Sequence, residues 1–225
     1  MSGHDSSIDV DGGSHRVAGT LTIPNSPRGL IVFAHGSGSS RHSTRNQAVA
    51  RELNAAGFAT LLADLLTPEE DEVDRRTFAL RFDIELLASR VIDVVYWASA
   101  ERATAGLSIG YFGASTGAAA VLKAAASKPD RIFAVVSRGG RSDLAESAIA
   151  RVKAPTLFIV GGADPVVLEL NRHSARHMTA EVRLEVVPRA THLFEESGAL
   201  EHAADLAKRW FVAHVDRSAR NHETT

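Results

Sequence analysis

The sequence predicts an α/β fold in which helices cover both faces of a mostly parallel sheet. Segments with strand spacing and segments with helical spacing alternate along the chain, and residues 30–34 form a continuous apolar run that ends before Gly36 and Gly38. A strand that is apolar at every position is covered on both faces, as the central strands of parallel sheets are. Alternating strands and helices of this kind join through right-handed crossovers.

The predicted elements follow from their apolar spacing and their turn residues. The chain begins with a β-hairpin, because residues 8–10 and 17–23 have strand spacing and flank the turn Asp11-Gly12-Gly13-Ser14. After the apolar run, residues 48–56 repeat apolar side chains at helical spacing and stop at Gly57. We predict further strands at 58–62, 107–112, 132–136, 156–160 and 182–187, and helices at 82–97, 117–126, 144–152, 167–177 and 200–214.

The composition indicates one folded domain. The 225 residues are 44% apolar and 23% charged, as in ordinary globular proteins, and no low-complexity linker divides them. We expect a single domain over residues 1–225, with a core from about 15 to 215 and frayed ends at 1–6 and 217–225.

Charge and cysteine content exclude several classes of function. Lys and Arg number 25 and Asp and Glu 27, so the net charge of −2 offers no attraction for a nucleic acid. The absence of cysteine excludes disulfide frameworks, thiolate metal sites and a cysteine nucleophile. The first residues have neither a basic start nor an apolar stretch, and no run of about 18 apolar residues follows, so we expect no membrane segment and a cytoplasmic location. The oligomeric state is left open.

Two segments match G-x-S-x-G, the pattern of a sharp turn that raises a serine hydroxyl above a sheet. They centre on Ser108 and Ser115. Such a nucleophile elbow needs a strand that ends at the serine and a helix that starts directly after it. Ser115 lies between the predicted strand 107–112 and the predicted helix 117–126, whereas Ser108 lies inside or just before that strand. We therefore predict Ser115 as the nucleophile.

A serine hydroxyl reacts only when a base takes its proton and a carboxylate orients that base. Asp164 follows the predicted strand 156–160, and His192 follows the strand 182–187. Loops after parallel strands emerge at one edge of the sheet, so both side chains can meet Ser115 there. The prediction is a catalytic triad of Ser115, His192 and Asp164. The alternatives are an Asp-Pro turn for the aspartate and a surface loop position for the histidine.

The loop after the first buried strand is the predicted source of oxyanion stabilisation. Its sequence is His35-Gly36-Ser37-Gly38, and glycines allow the backbone to approach a substrate closely. We therefore predict Gly36 and Gly38 as substrate-binding residues. The amide of Ser37, with Gly38 as the alternative, and the amide of Thr116 are expected to donate to the oxyanion.

The same loop has a competing interpretation as a dinucleotide cradle. A glycine-rich turn follows a strand, and Asp64 ends the next strand. Arg41 stands where the third glycine of that motif belongs, and no phosphate-binding lysine accompanies the turn. We expect no nucleotide, and the chemistry of a serine nucleophile needs no cofactor.

Two further sets of residues compete for other roles. His173 and His177 stand four apart on a predicted helix, a spacing that zinc can use, but no third ligand or H-E-x-x-H pattern accompanies them. We therefore predict no metal. Asp143 is a second candidate acid, but its position favours the N-cap of the short helix that follows.

Two arginines follow the predicted strand 132–136 at the edge that holds Ser115. Arg138 and Arg141 could place a guanidinium beside a substrate carboxylate or phosphate, with solvated loop positions as the alternative. A single short helix separates this strand from the next one, so no cap domain is inserted there. We expect an open site that suits small esters, lactones or thioesters.

In these residues the sequence resembles the α/β-hydrolase superfamily, and within it the dienelactone hydrolase-related proteins. The resemblance spans residues 30–215 and rests on His35-Gly36, the segment around Ser115, Asp164 and His192, in that order. It implies an eight-stranded sheet and acyl-transfer hydrolysis by a Ser-Asp-His triad. Dienelactone hydrolases carry a cysteine nucleophile, whereas this chain has a serine, so the resemblance does not extend to dienelactone as the substrate.

The expected function is that of a carboxylesterase-type serine hydrolase that cleaves small ester or lactone bonds. A thioesterase is an open alternative, because the sequence does not fix the acyl or leaving group. A hydrolase-fold protein that only binds a ligand is another, since a fold alone does not determine function.

Overall fold

The computed structural model describes residues 4–128 and 131–222, and eight strands in this part of the chain form one sheet. The strands are β1 (His4–Asp11), β2 (Arg16–Ile23), β3 (Leu30–Ala34), β4 (Ala59–Ala63), β5 (Ile109–Ala114), β6 (Ile132–Arg138), β7 (Thr156–Gly161) and β8 (Val182–Val187). Their order across the sheet is β1-β2-β4-β3-β5-β6-β7-β8. The pairs β1–β2 and β2–β4 are antiparallel and the other pairs are parallel. The predicted mostly parallel, eight-stranded α/β sheet is confirmed.

Helices pack on both faces of this sheet. They are α1 (Thr44–Ala55), α2 (Pro68–Thr77), α3 (Ile84–Ala100), α4 (Thr116–Ser127), α5 (Pro165–His177) and α6 (Ala199–His222), with short 3₁₀ segments at Leu80–Phe82 and Ser142–Arg151. Side chains of α1 and α6 share one apolar core with one face, and those of α3 and α4 share a second core with the other.

Strand β3 shows how a fully apolar segment is used. Ile31 and Phe33 belong to the core beneath α1 and α6, whereas Leu30, Val32 and Ala34 belong to the opposite core. Successive side chains of a strand point to opposite faces, so a strand covered on both sides must be apolar throughout. Packing in both cores holds β3, and with it the start of the glycine-rich loop, in place within the sheet.

Helix α2 has no counterpart in the sequence prediction. Its sequence is strongly polar and its buried residue is an aspartate, Asp74, so it shows no apolar stripe. The helix is marked instead by its capping box: Thr67 accepts from the Glu70 amide, and the Glu70 side chain accepts from the Thr67 amide. Asp74 is stabilised by Arg81, whose Nε lies 2.6 Å from the carboxylate.

Two strand boundaries differ from the prediction in ways that matter for the site. Strand β5 runs over Ile109–Ala114, two residues later than expected, so that Ser115 follows it directly. Strand β6 continues to Arg138, which is therefore the last strand residue and not part of a loop.

The ends of the chain extend further than the predicted core. Residues 1–3 and 223–225 lie outside the described residues, but β1 begins at His4 and α6 continues to His222, within segments predicted to be frayed. Between β6 and β7 the chain forms only the segment Ser142–Arg151, so the prediction of no cap domain is confirmed. Within residues 4–128 and 131–222, no helix is both long enough and apolar enough to cross a bilayer.

Candidate active site

Ser115 occupies a strained turn between β5 and α4. Its backbone has φ 51° and ψ −121°, a conformation that costs a non-glycine residue of the order of 1–3 kcal/mol. The turn is held by β6, because the Ser115 amide donates to the Arg138 carbonyl at 3.2 Å and the Arg141 amide donates to the Ser115 carbonyl at 3.0 Å. The Ser115 side chain is thus held at the carboxyl edge of the sheet.

The two glycines of the motif allow this turn to form. A Cβ on Gly113 would lie 2.5 Å from the Ala118 Cα, and one on Gly117 would lie 2.4 Å from the carbonyl oxygens of Ala34 and His35. These neighbours are backbone atoms that cannot move aside. Helix α4 can therefore approach β5 and the end of β3 only where both positions lack a side chain.

Ser115, His192 and Asp164 form a continuous chain of contacts. The His192 Nε2 atom lies 3.3 Å from the Ser115 Oγ, and its Nδ1 lies 2.8 Å from the Asp164 Oδ2. Because a carboxylate only accepts hydrogen bonds, Nδ1 donates to Asp164 and Nε2 is left free to accept a proton. The Asp164 side chain is 15% exposed and that of His192 is 38% exposed, so the imidazole is accessible from solvent.

Asp164 serves as a helix cap with its other oxygen. Its Oδ1 accepts from the Val167 amide at 3.3 Å, and Pro165 occupies the first turn of α5. This is a usual N-terminal arrangement for a helix. Asp164 and Pro165 thus start a helix and not the turn that the sequence offered as an alternative, and the same carboxylate contacts the imidazole.

The loop that carries His192 is docked on the turn after β7. The Ala163 amide donates to the Ala190 carbonyl at 2.9 Å, and a Cβ on Gly161 would lie 2.2 Å from the same oxygen. Ala190 is fully buried. This close backbone contact brings His192 beside Asp164, although 28 residues separate them in sequence.

The glycine-rich loop after β3 lies directly against Ser115. A Cβ on Gly36 would come within 3.0 Å of the Ser115 Cβ. Ser37 lines the same cavity as Ser115, and Thr116 is the first residue of α4, where backbone amides have no partner within the helix. Gly38 has φ 66° and packs against Arg81, in a small adjoining recess that Ser37 and Thr116 also line.

His35 anchors this loop as a neutral imidazole. Its Nε2 accepts from the Leu65 amide at 3.2 Å, so the proton resides on Nδ1, which donates to the Gly36 carbonyl at 2.9 Å. Burial lowers the pKa of His35 below its usual value, although the Gly36 carbonyl and Asp64 oppose this shift. Protonation would place a donor against the Leu65 amide and disrupt the contact.

We expect His35 to make the folded protein less stable in mild acid. The unfolded chain binds a proton on this residue below about pH 6.5 while the folded chain resists it, so the free energy of unfolding should fall by about 1 kcal/mol between pH 7 and 5.5. His35→Asn, which can still donate to the Gly36 carbonyl, should lose less stability over this interval. Urea unfolding at both pH values measures the difference.

The control for this prediction is His202→Asn, because His202 is exposed on α6. It should show the pH dependence of the unchanged protein. A His35→Asn variant with the same pH dependence would contradict the assignment of a buried neutral imidazole.

A cavity of about 200 Å³ opens beside Ser115. Its lining residues come from the β3 loop, α1, the ends of β5 and β6 and the His192 loop: Gly36, Ser37, Ser39, Ser43, Arg45, Asn46, Ala114, Ser115, Arg138, His192 and Leu193. Arg45, Asn46 and Leu193, together with Ser39, Ser43 and Ala114, were missed by the sequence analysis. Arg45 and Asn46 could have been identified from the sequence, because they lie in the first turn of α1, which follows the β3 loop at the same sheet edge.

The two predicted arginines have different surroundings. Arg138 lines the cavity, whereas Arg141 pairs with Asp143 through two hydrogen bonds of 2.9 and 2.7 Å and is absent from the described cavity lining. The expected N-cap role of Asp143 is wrong, because Arg141 stands at the N-cap position and no side chain caps this segment. The Asp143 carboxylate is engaged by Arg141 and makes no described contact with His192.

The competing sites are not assembled among the described residues. Asp64 accepts from the Arg41 amide at 2.7 Å and pairs with its guanidinium, so it ties down the β3 loop. The His177 Nδ1 bonds to the His173 carbonyl at 2.9 Å. No cluster of three or more His, Cys, Asp or Glu side chains in residues 4–128 and 131–222 could hold a metal.

Known proteins resemble this chain in both sequence and structure. The sequence model of the dienelactone hydrolase family matches residues 17–215. The crystal structure of a dienelactone hydrolase from Anabaena variabilis is 51% identical, has a TM-score of 0.93 and aligns over 95% of this chain and 99% of its own. Est1E from Butyrivibrio proteoclasticus is 18% identical and shares the fold, with a TM-score of 0.78 over 96% of this chain and 100% of its own.

Curated relatives extend the comparison to longer proteins. A Mycobacterium tuberculosis protein named "Putative phosphoribosyl transferase" is 58% identical over 211 residues in each of two strains. The match covers 94% of this chain and 47% of the relative, so the chain spans about half the length of the curated relatives it matches. The family match and the Anabaena structure each extend over most of the sequence. The chain therefore belongs to the dienelactone hydrolase family.

Proposed function

We propose that this chain is a serine hydrolase that cleaves small ester or lactone bonds through an acyl-enzyme. The observation that supports the proposal best is the uninterrupted contact from the Ser115 hydroxyl through His192 to Asp164. A nucleophile on a strained turn, an imidazole within reach and a carboxylate behind it are the groups that acyl transfer requires.

In the proposed reaction, the Ser115 Oγ attacks the carbonyl carbon while the His192 Nε2 takes its proton. The amides of Ser37 and Thr116 donate hydrogen bonds to the oxygen that becomes negative. His192 then gives the proton to the leaving alkoxide, and the acyl group remains on the serine. Water repeats these steps in reverse: His192 takes a proton from water, the hydroxide attacks the acyl carbon, and the proton returns to the Ser115 Oγ.

Asp164 keeps His192 in the tautomer that this reaction needs. It accepts the Nδ1 proton, stabilises the imidazolium that forms and does not itself become protonated. The cap on α5 fixes the carboxylate, because its second oxygen is bound to the Val167 amide. The proposal thus gives each of the three side chains a different task.

The transferase name of the Mycobacterium tuberculosis relatives is not proposed for this chain. Those proteins are about twice as long as the segment that matches, and the matching segment is the one that the dienelactone hydrolase family covers. The described residues that line the cavity include Ser115 and His192, the groups that the proposed acyl transfer uses.

Labelling with a fluorophosphonate probe tests the proposal directly, because such probes react with an activated serine. We expect one adduct per chain, located on Ser115 by peptide mass mapping, and hydrolysis within a panel of esters, lactones and thioesters. Heat-denatured protein is the control and should not be labelled. A folded chain without an adduct and without turnover would instead be a hydrolase-fold binding protein, and a strong preference for thioesters would make it a thioesterase.

A further inference from the structure

Arg138 is a buried cation for which the described residues provide no counter-ion. The residue ends β6 and is 7% exposed. Its Nε and Nη1 atoms have no hydrogen-bond partner, and Nη2 reaches the Asn46 side-chain oxygen at the long distance of 3.4 Å. The ring of Phe194 lies 5.7 Å from the guanidinium carbon. Burying a charge with so few partners costs free energy, so Arg138 is not expected to stabilise the fold.

Two other arginines of this fold, one buried and one partly buried, have carboxylate partners. Arg90 is also 7% exposed, and its Nη2 lies 2.5 Å from a Glu70 carboxylate oxygen. Arg81 is bound by the buried Asp74 at 2.6 Å. Arg90 and Arg81 are each paired with an acid, whereas Arg138 has no carboxylate partner among the described residues.

Arg138 is one of the residues that line the cavity beside Ser115. Arg138 and Arg45 both line it, whereas no Asp or Glu does so among the described residues. Arg45 pairs with Glu195 at 3.4 Å, and the two side chains are 35% and 65% exposed. Burial and the nearby positive charge of Arg45 lower the pKa of Arg138 to about 10, so it remains cationic at neutral pH. An anion in this cavity would supply the missing counter-ion of Arg138 and offset the nearby positive charge of Arg45.

The position of Arg138 relative to the nucleophile is fixed by the backbone. Its carbonyl accepts the Ser115 amide at 3.2 Å, and both residues line the same cavity, so a ligand bound there can contact both side chains. A guanidinium presents a planar fork of donors that matches a carboxylate or a phosphate. Arg141 offers no such fork, because Asp143 already occupies it.

We propose that Arg138 binds a carboxylate or phosphate group of the substrate, and that the chain consequently prefers anionic esters to neutral esters of the same length. This inference rests on the proposed function. It adds the substrate class and a specificity-determining residue to the reaction assigned to Ser115.

Matched pairs of esters test this inference. Mono-4-nitrophenyl succinate and 4-nitrophenyl 3-phosphonopropanoate carry a carboxylate or a phosphonate, and 4-nitrophenyl butyrate is the neutral counterpart. In the unchanged protein we expect a higher kcat/KM for at least one anionic ester, and the better of the two identifies the preferred group. In Arg138→Met the ratio of anionic to neutral kcat/KM should fall by about 10- to 100-fold, as expected for the loss of a charged hydrogen bond.

The Tm distinguishes substrate binding from a structural role. If Arg138 stabilised the fold, Arg138→Met would lower the Tm. Arg138→Met removes an uncompensated buried charge, so its Tm should equal or exceed that of the unchanged protein. Succinate or inorganic phosphate should raise the Tm of the unchanged protein by binding its folded state, and should raise that of the variant less.

Arg131→Met is the matched control, since Arg131 is exposed just before the other end of β6. It removes the same charge and should leave the ratio unchanged. Arg138→Lys keeps a cation without the fork and should retain part of the preference, which keeps the test informative if the methionine variant does not fold.

Equal kcat/KM values for anionic and neutral esters in the unchanged protein would overturn the inference, as would an unchanged ratio in Arg138→Met. Either result would leave the proposed function intact, because neutral esters would still be hydrolysed. Failure of the proposed function has a different signature, namely no turnover of any ester and no fluorophosphonate adduct.

Discussion

Ser115→Ala is expected to lower kcat/KM for an activated ester by about 10³-fold or more. The methyl group cannot form the acyl-enzyme, so only the oxyanion donors and substrate binding would remain to assist attack by water. The variant should fold, because alanine removes only the hydroxyl and leaves the backbone contacts with β6 in place. Initial rates with 4-nitrophenyl butyrate, together with the Tm, measure both parts of this expectation.

Ser108→Ala is the natural control, because Ser108 also stands at the centre of a G-x-S-x-G match. It precedes β5, and its carbonyl accepts the Leu30 amide at 2.9 Å, a contact that alanine preserves. Its kcat/KM should equal that of the unchanged protein. Substantial turnover in Ser115→Ala would mean that another group is the nucleophile.

Ser115→Gly separates catalysis from backbone strain. Serine and alanine are both strained by φ 51° at this position, whereas glycine adopts positive φ readily. The glycine variant should be inactive and yet more stable than Ser115→Ala, because the backbone strain that glycine relieves exceeds the conformational entropy that it loses on folding. Urea unfolding measures the difference in the free energy of unfolding between the two variants.

The sequence was sufficient to predict the fold and the residues that meet at the sheet edge. Parallel strands deliver their following loops to one edge, so the order of Ser115, Asp164 and His192 along the chain already implied their proximity. The continuous apolar run 30–34 likewise required a strand with a core on each side. These inferences succeed because topology restricts where a loop can lie.

Other features depend on side-chain surroundings that spacing does not encode. Helix α2 buries a charged residue, so it lacks the apolar stripe by which a helix is recognised. Arg138 and Arg141 both follow the predicted strand 132–136, but Arg138 is buried at the end of β6 and Arg141 pairs with Asp143, and the spacing does not encode this difference. The meeting of Asp164 with His192 was predicted, but the cap that the other oxygen of this carboxylate forms on α5 was not, and it required coordinates.

Asp164→Asn is expected to lower kcat by about 10⁴-fold while changing stability little. The amide can donate to the His192 Nδ1, which would move the imidazole proton to Nε2 and leave no acceptor for the Ser115 hydroxyl. The cap on α5 should survive, since asparagine and aspartate are similarly effective at an N-cap. Loss of the charge at the helix N-terminus should cost only about 0.3–1 kcal/mol. Steady-state kinetics and urea unfolding of the same preparation measure both quantities.

Asp164→Ala is the companion variant that separates the two roles of this carboxylate. It should lose activity as severely as Asp164→Asn and should lose about 1 kcal/mol more stability, because the Val167 amide would then lack its side-chain acceptor. A stability loss of similar size in both variants would show that the cap contributes little. An asparagine variant with near-normal kcat would mean that His192 keeps its tautomer without Asp164, and the catalytic role assigned to this carboxylate would be wrong.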